Sequence, residues 1–151
     1  QNLYKFLDKI IFKKKRMALS VYKLLHVDSK DEVDEAAVIQ AAQQNPKDLD
    51  RTFEFCRGGH IRIGWEVCPL HKAIRLGLGI GVIKSLISPV AIKQKDDCFW
   101  TQGYTPLHRI CCSSNVSLEM LSAILNAWPN AAREKDSNGY TPLHVLCCNK
   151  I

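Results

Sequence analysis

The sequence predicts an all-α fold, a helix-loop-helix repeat solenoid with β-hairpin-like fingers between its helix pairs, in the form of a truncated array. Three observations carry that prediction. The hexapeptide Gly103-Tyr104-Thr105-Pro106-Leu107-His108 recurs unchanged as Gly139-Tyr140-Thr141-Pro142-Leu143-His144, 36 residues later. A shorter copy, Cys68-Pro69-Leu70-His71, stands 37 residues before the first. Behind each copy the apolar residues fall at helical spacing, and the copies at Pro69 and Pro106 are followed by a loop and a second helical pattern.

Taken in order, residues 1–16 read as a basic amphipathic N-terminal helix. Leu3, Phe6, Leu7, Ile10 and Ile11 fall at helical spacing and Lys13-Lys14-Lys15-Arg16 follows. Three roles stay open for it: a cap on the end of the stack, an import signal, or a contact with an anionic membrane or nucleic acid. Residues 17–46 form a degenerate first helix pair, with one helix over 20–27 and another over 31–44. The second carries Val38, Ile39 and Ala42 on one face and stops at Asn45-Pro46.

Residues 47–68 form a long hairpin insert. Phe53 and Phe55 alternate with polar residues, as do Ile61, Ile63 and Trp65, and Arg57-Gly58-Gly59-His60 lies between them. Period-two spacing around a glycine turn is a β-hairpin signal. Its apolar face either packs on the neighbouring repeat or is offered to a partner.

Residues 69–151 hold the repeats proper, at 69–89, 106–129 and an incomplete 142–151. Pro69, Pro106 and Pro142 suit the first helical position, where the missing amide has no intrahelical partner. Thr105 and Thr141 suit the N-cap. Leu70, Leu107 and Leu143 then begin the apolar face of each first helix. Second helices follow through Val82, Ile83, Leu86 and Ile87 in one unit and Leu118, Leu121, Ile124 and Leu125 in the next, stopping near Pro89 and Pro129. The last repeat stops after its first helix, which leaves an apolar face uncovered and predicts a piece of a longer array.

From the proline ending one helix pair to the proline opening the next, the three turns span 23, 17 and 13 residues. The extra length of the middle turn centres on Cys98-Phe99-Trp100-Thr101. The shortest turn carries Asn138-Gly139, a dipeptide that favours a tight turn.

The motif Thr-Pro-Leu-His at this period resembles the ankyrin repeat, with Pro69, Leu70, His71, Thr105, Pro106, Leu107, His108, Thr141, Pro142, Leu143 and His144 as its structural residues. The likeness covers about residues 66–151. Cys68 replaces the threonine of the motif, and Ile110 and Leu146 replace its alanine. The resemblance implies a right-handed stack of helix pairs and a motif histidine that hydrogen-bonds in the turn region and ties neighbouring repeats together. It also implies protein recognition through the first helices and the fingers. The residue after the motif histidine is then expected on the concave side, which selects Lys72, Arg109 and Val145, and Arg75 lies one turn beyond Lys72.

Charge and cysteine usage narrow the alternatives. The net charge of +6 lies in residues 1–30, where eight Lys/Arg face two Asp; residues 31–151 balance to zero. A nucleic-acid-binding body usually carries its own basic excess. Seven cysteines, an odd number with two adjacent pairs, suit free thiols in a reducing compartment, the cytoplasm or the nucleus.

Neither a zinc site nor a catalytic centre is expected. There is no Cys-x-x-Cys, and adjacent cysteines on a helix diverge by about 100°. His71, His108 and His144 recur on schedule, as building blocks do, and no separate base stands beside a cysteine nucleophile. The glycines at 77, 79 and 81 follow a helix and lack the lysine of a phosphate loop, so they read as a loose inter-helix loop.

The sequence therefore predicts a non-enzymatic protein-protein interaction module without cofactors. Its candidate partner-binding residues are Arg57, Lys72, Arg75, Phe99, Trp100 and Arg109, and its partner would be acidic with an apolar anchor. Two other readings remain: a regulatory segment of a larger enzyme or channel, and an adaptor to membrane or nucleic acid through the basic N-terminal segment.

Overall fold

Proline and glycine set the helix ends in a computed structural model that describes residues 20–54, 66–96, 103–114 and 117–148. The expected helix over residues 1–16 and the tip of the first hairpin lie outside the described residues. The first helix pair is Val21–Leu25 (α1) and Glu35–Gln44 (α2). Strands Phe53–Glu54 (β1) and Glu66–Val67 (β2) follow and pair antiparallel, Phe53 opposite Val67. Next come Pro69–Leu76 (α3) with Ile80–Leu86 (α4), Pro106–Cys112 (α5) with Leu118–Ala127 (α6), and Pro142–Cys148 (α7).

The chain stacks in two layers. First helices pack in series, α1 on α3, α3 on α5 and α5 on α7; second helices pack α2 on α4 and α4 on α6. Within each pair the two helices also touch. The buried residues recur at matching positions. Leu70, Ala73 and Ile74 on α3 are followed by Leu107, Ile110 and Cys111 on α5, and Val82, Ile83 and Leu86 fill the second layer on α4. One apolar face per helix cannot be buried within one helix pair, so burial is completed only by the neighbour. α7 keeps part of its apolar surface in solvent, with Leu143 65% exposed.

Short 3-10 turns close the second helices at Pro46–Asp50, Ala91–Lys93 and Pro129–Arg133, and they bury Leu49, Ala91 with Ile92, and Ala131. Residues 77–79 are not a loose loop. Gly77, at φ +70°, ends α3 with its amide on the carbonyls of Ala73 and Ile74. Gly79 caps α4, and its amide donates to Glu35 Oε1 of α2 at 2.9 Å. A Cβ on Gly79 would meet Glu35 Oε2 at 2.7 Å, so the glycine admits a carboxylate from the preceding helix pair to the start of α4.

The fingers also stack. Gly103, at φ +78°, lies against the next finger, where a Cβ would sit 2.7 Å from Ser137 Oγ and 2.9 Å from Ser137 N. Gly77 also has positive φ, but nothing lies within 4 Å of its Cβ position. Gly77→Ala should therefore cost only backbone strain, about 1–2 kcal/mol. Gly103→Ala should cost that and a further ~1–3 kcal/mol of steric displacement. Denaturant unfolding of the two variants checks this, and equal losses would contradict finger stacking.

Candidate functional site

Each motif histidine is placed by the proline that opens its helix, two residues ahead of it. His108 Nδ1 lies 2.8 Å from Thr105 Oγ1 and accepts the Thr105 amide at 3.3 Å. His108 Nε2 lies 2.9 Å from the carbonyl of Tyr140, in the next finger. A carbonyl only accepts, so Nε2 carries the proton and Nδ1 is the acceptor. Thr105 in turn receives the His108 amide at 3.4 Å, closing the cap. His144 repeats the inner half of this arrangement, with Nδ1 at 2.7 Å from Thr141 Oγ1.

His71 makes the same bridge with one substitution. Its Nε2 donates to the Tyr104 carbonyl at 2.9 Å, while its Nδ1 lies 3.0 Å from Cys68 Sγ. The thiol stands where the other motifs have threonine. A buried Cys–His contact suggests a nucleophile, but the electrostatics oppose one. Burial raises the Cys68 pKa to about 11, and burial lowers that of His71 to about 4 against smaller favourable effects from Asp96 and the Tyr104 carbonyl. Both groups are neutral, and the pair is a structural hydrogen bond. Burial likewise pushes the Cys111 thiol up to about 11. No group of three His, Cys, Asp or Glu able to hold a metal ion occurs among the described residues.

A buried aspartate roots each of the two later fingers, a residue type the sequence reading passed over. Asp136 Oδ1 accepts the amides of Asn138 and Tyr140 at 2.9 and 2.8 Å, and the Asp136 amide donates to the Tyr140 carbonyl at 2.9 Å. Asp96 donates its amide to the Tyr104 carbonyl at 2.9 Å, and Gly103 returns one to Asp96 at 2.9 Å. The matching bond from Gly139 to Asp136 is 3.0 Å. The two fingers thus share one base although the first has four more residues between aspartate and glycine. A signal was present: Lys95-Asp96 and Lys135-Asp136 stand before the two Gly-Tyr pairs. Glu35, the brace of Gly79, has no such signal in its own surroundings.

The expected cationic strip is altered by burial. Lys72 is only 9% exposed, and its ammonium donates to the Val27 carbonyl at 2.8 Å, tying α3 to the end of the first helix. Burial lowers its pKa, and the charge of Arg75 lowers it further. Arg109 forms an ion pair with Asp96, whose side chain is fully buried, and its guanidinium lies 5.6 Å from the Tyr104 ring centroid. Val145 is buried. Arg75 is the exposed member of the set. Arg75 and Arg109, with Ile74, Cys112, Ser113 and Ser114, line a cleft of about 230 Å³ between the ends of α3 and α5. Arg57, Phe99 and Trp100 lie outside the described residues. Phe53 stacks on Tyr22 of α1 at 4.8 Å, so at least this residue of the hairpin packs inward.

These bridges carry two measurable consequences. His108→Ala should destabilise the fold by roughly 1–3 kcal/mol through orphaned buried hydrogen bonds. His26→Ala, at an exposed position with its ring edge-on to Tyr22, should cost less, about 0.5–1 kcal/mol, and equal melting shifts for the two would contradict the assigned roles. The second consequence is a pH dependence. An unfolded histidine titrates near 6.5 and the folded His71 near 4, so between these values the unfolded state binds more protons. His71's contribution is fully present above about pH 6.5 and is lost as pH falls toward about 4, by roughly 2 kcal/mol at pH 5. The lowered pKa of His108, also caused first by burial, acts in the same direction. Unfolding at pH 7.5 and pH 5 measures the loss, which His71→Gln should reduce.

A family model for ankyrin repeats, three copies, matches residues 70–151. No match was found among curated proteins or among solved structures. The matched region is more than half of the chain and contains all three motif histidines. This protein belongs to the ankyrin repeat family.

Proposed function

We propose that the chain is a non-catalytic recognition module that binds another protein through its first helices and the tips of its fingers. Ankyrin repeats generally mediate protein-protein interaction. The observation that carries the reading for this chain is the shared finger base. Asp96, Gly103 and Tyr104 make the same backbone bonds as Asp136, Gly139 and Tyr140, with four more residues between them. An insertion that leaves the base unchanged is free to vary for binding, and here it contains Phe99 and Trp100. Aromatic anchors supply a large share of interface affinity.

A chemical role has no support in the described geometry. Each motif histidine is committed to a structural hydrogen bond, and the one buried Cys–His pair is neutral. Seven cysteines, an odd number with two adjacent pairs, fit an intracellular, reducing compartment, cytoplasm or nucleus.

Partner capture on the immobilised chain, followed by kinetics on Trp100→Ala, tests this reading. The substitution should leave the unfolding midpoint and the association rate unchanged and speed dissociation, weakening affinity by about 1–3 kcal/mol. Unchanged affinity for every captured protein would remove the finger from the interface.

A further inference from the structure

The cleft between α3 and α5 has a composition that selects one kind of occupant. Arg75 and Arg109 border it together with Ser113 and Ser114, while Ile74 and Cys112 supply apolar wall. A guanidinium carries five N–H donors in a planar fork that matches a carboxylate, and it can serve more than one acceptor at once. The Asp96 carboxylate already shows that fit at Arg109, on the buried side. The cleft volume of about 230 Å³ corresponds to roughly eight waters at ~30 Å³ each, room for a carboxylate and its methylene stem.

The surrounding charge favours a short acidic segment over a polyanion. Residues 31–151 carry no net charge, and Asp96 offsets the charge of Arg109. Binding a nucleic acid needs many phosphate contacts along a basic track, and two arginines do not provide it. The same ion pair joins the cleft to the root of the longer finger. Arg109 holds Asp96, and the chain that continues from Asp96 carries Phe99 and Trp100.

Resting on the protein-recognition reading above, we propose that this cleft seats an aspartate or glutamate side chain of an acidic partner segment. The carboxylate lies between Arg75 and Arg109 and accepts from the Ser113 and Ser114 hydroxyls, with its methylene stem against Ile74. Arg75 is the specificity-determining residue, since Arg109 also holds the fold together.

Amide chemical-shift titration of the full chain with the peptide Ac-Trp-Glu-Glu-NH2 tests the proposal, with Ac-Trp-Gln-Gln-NH2 and inorganic phosphate as comparison ligands. The expected result is saturable shifts at Ile74, Arg75, Cys112, Ser113 and Ser114 with the glutamate peptide, weakened by salt, and no saturation with the glutamine peptide. Arg75→Gln should lower the affinity about tenfold, the effect of losing one charge-assisted contact. Arg75→Lys, which keeps the charge but not the fork, should fall between the two. Equal binding of the two peptides, preference for phosphate, or indifference to Arg75→Gln would overturn the assignment. A cleft that ignores the glutamate peptide in a chain whose partner binding still depends on Trp100 would refute this site alone and leave the recognition reading standing.

Discussion

The stack depends on a neutral imidazole with both ring nitrogens occupied. His71 and His108 each accept from their own turn at Nδ1 and donate to the carbonyl of the following finger at Nε2. One side chain thereby fixes the start of its helix and its distance from the next repeat. Protonation would put a donor on Nδ1, where an acceptor is required, and the Thr105 amide would lose its partner. A domain is stable by only about 5–15 kcal/mol, so the few kcal/mol held at each bridge are a sizeable share. Burial keeps the rings neutral, and Cys68 shows that a thiol serves at the inner position as well as a threonine hydroxyl.

Because the bridges and the aspartate bases fix where the two later fingers begin and end, these fingers can differ in length without disturbing the helices. The first is a hairpin with β1 paired to β2, and the other two close on Asp96 and Asp136. Lateral contacts then hold the bases in register. Lys95 donates to the Lys135 carbonyl at 2.9 Å and lies 3.5 Å from Glu134, and Gln94 donates to the Asp50 carbonyl at 2.7 Å. A fixed base with a variable tip suits recognition, since changes at the tip leave the stack intact.

Much of this architecture was legible in the sequence. The repeated hexapeptide named the unit, each motif proline marked a helix start, and period-3.6 patterns named the buried faces of α3, α4 and α5, whereas Leu118 and Leu143 stay largely in solvent. Side-chain partners far apart in the chain were not legible. The resemblance to the repeat motif placed Lys72 and Arg109 on the concave surface, yet Lys72 reaches Val27, 45 residues back, and Arg109 pairs with Asp96 across the finger. Glu35 reaches Gly79 over 44 residues. Such contacts join successive units, and a pattern within one unit does not contain them. Gly77 and Gly79 looked like slack in a loop because glycine spacing shows where backbone freedom is used, not what it is used for. The paired Lys-Asp before each Gly-Tyr was visible as a repeat, but its role as a turn base depends on burial.

The most direct test of the central claim is the tautomer and charge of His71 and His108, read from long-range ¹⁵N–¹H correlation of the imidazole rings at pH 6. Both rings should be neutral with the proton on Nε2, while an unfolded or exposed histidine is substantially protonated at that pH. A charged ring, or a proton on Nδ1, at either residue would contradict the account, since the bridge from one repeat to the next could not then be made as described.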